Sequence, residues 1–64
     1  MNRLAADPTK WPQKPRGAAC KVYMGSQWAS GTWQGMQGDR GAVWVGKEQR
    51  LVLVADCRNV RFDR

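Results

Sequence analysis

The chain of 64 residues contains no histidine. That removes the commonest general base at neutral pH and the commonest metal ligand. Carboxylates are scarce too, 5 against 11 lysines and arginines, and Asp7, Asp39, Glu48, Asp56 and Asp63 show no spacing that marks an acid–base pair. Ser26, Ser30 and Thr32 have no histidine to activate them, and glycine stretches such as GDRG do not follow the strand-to-helix pattern of a phosphate-binding loop. Catalysis is therefore not expected, and neither is a cofactor. The two cysteines, Cys20 and Cys57, lie far apart, and a tetrahedral zinc site would need two more ligands. The expectation is no metal, with buried thiols in a reducing compartment. No apolar run approaches the roughly 20 residues of a membrane span. The start, MNRLAADPTKWP, lacks the apolar stretch of a signal peptide, so a cytoplasmic protein is expected.

What the sequence does have is positive charge, +6 in all. A small basic chain attracts polyanions, which puts nucleic acid ahead of an anionic membrane surface as partner. The plain alternative is a soluble protein that happens to be basic.

Proline and glycine are segregated. All 3 prolines (Pro8, Pro12, Pro15) precede all 7 glycines, which run from Gly17 to Gly46. Proline blocks both helix interiors and central strands, so residues 1–17 are expected to form an extended basic arm and residues 18–64 a single body. No helical period of useful length occurs. ACKVYM (19–24) alternates Cys20, Val22 and Met24 against Lys21 and Tyr23, the period of a half-buried strand. GSQ (25–27) turns the chain into WASGTWQGM, a run with Gly31 and Gly35 that suits a bent or bulged strand. QGDRG (37–41) is the clearest hairpin loop. AVWV (42–45) sets Val43 and Val45 against Trp44, and GKEQ (46–49) suits a second turn. RLVLVA (50–55) is apolar on both faces and is expected to be the best-covered strand. DCRN (56–59) suits a tight or single 3₁₀ turn, with Asp56 capping the amides of Arg58 or Asn59. VRF (60–62) closes with Val60 and Phe62 inward and Arg61 outward. This pattern describes an all-β fold, a five-stranded SH3-like barrel with a 3₁₀ turn before the last strand.

The order of motifs over residues 20–62 (strand, short loop, W-x-x-G-x-W, hairpin, V-W-V, hairpin, apolar strand, D-x-x-x-V-R) resembles the Tudor group of SH3-like barrels. That resemblance implies an aromatic cage for methylated Lys or Arg, which would fall on Tyr23, Trp28 and Trp44. The acidic or amide residue such cages carry after the third strand would fall on Glu48 or Gln49. The barrel also resembles in shape the plasmid-type dihydrofolate reductases, small subunits that assemble around a pore. Their V-Q-I-Y motif is replaced here by Leu51-Val52-Leu53-Val54, so the resemblance implies shape and self-association and not that chemistry.

Strand alternation sends Lys21, Tyr23, Trp44 and Arg61 away from the core, with Trp28 at the first loop and Arg40, Lys47 and Arg50 at loop ends. Aromatics interleaved with cations suit nucleic acid, because rings stack on bases while cations neutralise phosphates. The same residues would also serve a protein partner, a homo-oligomer contact, or packing over the barrel ends. Trp33 is assigned to packing, with Gly31 and Gly35 leaving room for its ring. Trp11 is expected to fold back as a plug over a barrel end. The leading expectation is a non-catalytic protein binding DNA or RNA, with no membrane partner. The alternatives are a Tudor-like peptide module and a self-associating subunit.

Overall fold

The computed structural model describes residues 11–62. The expected arm over residues 1–10 and the last two residues lie outside them. Five strands follow one another: β1 (Ala19–Tyr23), β2 (Trp28–Gln37), β3 (Arg40–Val45), β4 (Arg50–Val54) and β5 (Val60–Phe62), with a 3₁₀ turn over Cys57–Asn59 before the last. All pairings are antiparallel, in one sheet of order β4-β3-β2-β1-β5. The fold is all-β, as the alternating runs required. Hydrogen bonding does not close the sheet into a barrel, because β4 and β5 stand at opposite ends of the order and no ladder joins them.

Strand β2 is long because it serves two partners in halves. Residues 28–32 pair with β1, and Thr32 onward pairs with β3. The register slips between Trp33 and Gly35, and Gly35 sits at φ 97. A bulge there inserts an unpaired residue and bends the strand, and only glycine takes that backbone angle without a Cβ penalty.

The core is built mainly from valines on alternate positions. Val22, Val43 and Val45 are fully buried, joined by Cys20, Trp33, Ala42, Val54 and Val60. Each fully buried valine contributes about 2 kcal/mol of apolar transfer free energy. Phe62, expected to point inward, is half-buried and packs on the edge of this cluster, meeting Trp33 edge-on with ring centroids 5.3 Å apart. Cys20 is buried and Cys57 half-buried.

Trp11 folds back onto the sheet. Its ring stacks on Trp33 at 5.8 Å between centroids and 26° between planes. The chain behind it is tied to β2 by Gly17 N–H donating to the Trp33 carbonyl (2.8 Å) and Trp33 N–H donating to the Ala18 carbonyl (2.9 Å).

Two expectations need correction. Space for the Trp33 ring comes from Gly41 rather than from Gly31 and Gly35. A Cβ on Gly41 would fall 2.7 Å from both Trp11 Cζ3 and Trp33 Cη2, whereas one on Gly31 would strike Val43 and the Trp44 carbonyl, and Gly35 has open space beside it. Strand β4 is also not the best-covered strand. It is an edge, and Leu51 and Leu53 are 42% and 46% exposed. The second apolar face that suggested burial on both sides instead meets solvent beside Trp44.

Candidate nucleic-acid interface

The outer face of the sheet collects the side chains that alternation expels from the core. In an antiparallel pair, residues directly opposite project to the same face. Tyr23 lies opposite Trp28, Lys21 lies opposite Ser30 on β2 and opposite Arg61 on β5, and Trp44 lies between Thr32 and Leu51. Tyr23 and Trp44 are about two-fifths exposed, at 41% and 40%.

Within this face one cluster is in direct contact. The Tyr23 and Trp28 rings meet at 5.3 Å with planes 55° apart. The Arg61 guanidinium sits over the Trp28 ring, 4.6 Å from its centroid. The short GSQ turn, closed by Met24 N–H donating to the Gln27 carbonyl at 2.8 Å, brings Tyr23 and Trp28 together. Pairing of β5 on the far side of β1 delivers Arg61. Trp44 stands apart, in ring contact with neither of them among the described residues. Its indole nitrogen lies instead near Gly46.

The cations divide into two sets. Each carboxylate among the described residues meets a nearby arginine: Asp39 with Arg40 at 3.9 Å, Glu48 with Arg50 at 3.7 Å and Asp56 with Arg58 at 2.7 Å. Arg40 and Arg50 are thus partly neutralised by their own loops, while Lys21, Lys47 and Arg61 form no ion pair among the described residues. Lys14 lies over the Phe62 ring at 5.6 Å, and Arg16 donates to the Gln34 carbonyl at 3.4 Å.

Asp56 does what the DCRN motif implied. It caps the 3₁₀ turn by accepting from the Arg58 amide at 2.9 Å, and its carboxylate also takes the Arg58 guanidinium. The side-chain hydrogen bond from Arg58, reinforced by the backbone one, lowers its pKa to about 2. The Arg58 pKa is raised by the same hydrogen bond and charge.

Beside the cluster lies a groove that sequence reasoning did not foresee. Strand β3 pairs with β2 only as far as Thr32 and Trp44, so the first residues of β2 diverge from the end of β3 and the turn after it. The opening has a volume of about 600 Å³ and is lined by Gln27, Trp28, Ser30, Val45, Lys47 and Glu48 among others. The turn is held by Glu48 N–H donating to the Val45 carbonyl (3.2 Å) and Gln49 N–H to the Gly46 carbonyl (3.1 Å). Gln27 and Ser30 give no sequence signal for such a role, since their place depends on where two strands part. No known protein family, curated protein or solved structure matches this chain. Among the described residues there is no group of three or more potential metal ligands, and no helix long and apolar enough to cross a membrane.

Proposed function

We propose that the protein is a non-catalytic nucleic-acid-binding module that uses the outer face of its sheet, and that the sheet is the wall of an SH3-like, Tudor-like small barrel. The observation that carries the reading is the placement of Lys21 directly opposite Arg61. Like charges facing each other across strands are destabilising. Arg61 lies over Trp28, and neither Lys21 nor Arg61 forms an ion pair among the described residues. A charge arrangement that costs stability in the free protein is offset when an anion arrives, and the neighbouring rings give it bases to stack.

In this reading Lys21, Lys47 and Arg61 meet phosphates, Tyr23 and Trp28 stack on bases, and Trp44, Arg40 and Arg50 extend the surface more weakly. Three phosphate contacts on a single strand give a log–log salt slope of about −2, or about a twentyfold loss of affinity between about 50 and about 200 mM salt. Fluorescence anisotropy with a labelled oligonucleotide measures this. No binding to DNA or RNA at low salt would refute the reading.

A second reading, a Tudor-like peptide module, draws on the contact between Tyr23 and Trp28 and on Glu48 lining the groove beside Trp28. It gives binding of a methylated peptide with little salt dependence. Two facts favour nucleic acid over it: Trp44 is out of ring contact with the pair, and the Arg61 charge beside Trp28 repels a cationic side chain while attracting a phosphate.

A further inference from the structure

The groove beside Trp28 contains a group that a phosphate-binding surface should avoid. Glu48 lines it together with Gln27, Trp28, Ser30 and Lys47. Its carboxylate has one oxygen 3.7 Å from Arg50 and a side chain about half exposed. A carboxylate repels phosphate oxygens, but it accepts hydrogen bonds from the amino and imino groups of bases. An unstacked base presents its Watson–Crick edge to such a group.

We propose, building on the nucleic-acid reading, that this groove holds one unstacked base against Trp28 and reads it with Glu48, so that the protein prefers guanine. The four bases differ in what they offer a carboxylate. Guanine has two adjacent donors, the ring N1–H and the exocyclic N2 amino group, which match the two carboxylate oxygens. Cytosine offers one amino donor beside an acceptor nitrogen. Adenine likewise offers one donor beside an acceptor, and uracil or thymine one imino donor flanked by two carbonyl oxygens. Every base except guanine therefore sets at least one acceptor against an acceptor. Gln27 supplies an amide that donates to the guanine O6 carbonyl, and Lys47, next to Glu48 on the same turn, meets the adjoining phosphate. The volume of about 600 Å³ is within the range of small-molecule sites.

The test uses the full chain and short single-stranded oligonucleotides of uniform pyrimidine sequence carrying one variable position, followed by anisotropy at low salt. The expected result is about tenfold tighter binding with guanine than with adenine, cytosine or uracil at that position, with inosine, which keeps N1–H but lacks the amino group, in between. Glu48→Gln should abolish the preference by lowering the affinity for the guanine oligonucleotide about tenfold, to the level of the other three. Glu48 lies in an exposed turn, so this variant tests recognition rather than folding, and a thermal melt checks that. Equal affinity for all bases, or a preference that survives Glu48→Gln, would overturn base reading and leave the wider function standing. Absence of binding to every oligonucleotide would instead remove both.

Discussion

The Arg61 guanidinium lies 4.6 Å from the centre of the Trp28 ring, and that ring in turn meets Tyr23. A cation held over an indole is worth about 0.5 to 1 kcal/mol at an exposed site, so Arg61 is readily drawn to a phosphate while Trp28 stays in place. The two residues should therefore separate experimentally. Trp28→Ala removes a stacking platform and should weaken oligonucleotide binding by about 1 to 3 kcal/mol with little change in salt slope. Arg61→Ala should reduce the salt slope by about 0.7. Anisotropy titrations of both variants at several salt concentrations measure the difference. Identical salt slopes for the two would contradict these roles.

Trp11 and Trp33 share the space over Gly41. Both rings stand within 3 Å of where a Cβ on that glycine would sit. Gly41→Ala should thus destabilise the fold by about 2 kcal/mol, since neither ring can shift without disturbing the other. Trp11→Ala should cost about 2 kcal/mol by losing the stack and half-buried apolar surface. In the double variant the costs should be less than additive, because removing Trp11 relieves one of the two clashes. Denaturant melts of the three variants close the cycle, and simple additivity would show that the arm does not press on Gly41.

The exposed edge strand gives a separate test. Leu51→Lys and Leu53→Lys should each change stability by no more than about 0.5 kcal/mol, whereas Val54→Ala, in the core, should cost about 2 kcal/mol. An apolar edge with unpaired backbone groups is also a template for pairing, and lysine on it opposes that. Sedimentation at rising concentration should show association of the wild-type chain that either lysine variant suppresses. A large loss of stability in Leu53→Lys would mean that β4 is covered after all.

Much of this was legible in the sequence, for identifiable reasons. Strand β1 and its faces follow from the two-residue period of Cys20, Val22 and Met24, and Tyr23 and Trp28 come together because the four-residue connection between them closes a hairpin that sets them opposite each other. Strand β4 was misjudged because RLVLV is apolar on both faces whether a strand is central or at an edge, and only the pairing order distinguishes them. The partner of the Trp33 ring was misplaced because Gly41 lies on the next strand, brought alongside by a bulge whose register slip cannot be counted along the chain. Arg40 and Arg50 could have been discounted from sequence, since Asp39 and Glu48 are close neighbours of the same turns. The groove could not, since it exists only where β2 and β3 part.

Asp56 offers a pH-dependent prediction whose sign is fixed by its hydrogen bonds. Its pKa is lowered from an ordinary 3.8 to about 2 by Arg58, first through the side-chain hydrogen bond and then through the backbone one. A depressed folded-state pKa means that the unfolded chain binds the proton more readily, so stability rises with pH across the interval between the two values. The contribution is fully present above about 3.8 and lost as pH falls towards about 2. Because the pair is exposed to solvent, salt should weaken the effect. Thermal melts between pH 5 and pH 2 should therefore show a loss for the wild-type chain that is smaller in Asp56→Asn. That variant keeps a side-chain acceptor for the Arg58 amide and so retains the cap while losing the charge. An equal acid loss in both proteins would place the sensitivity at another carboxylate.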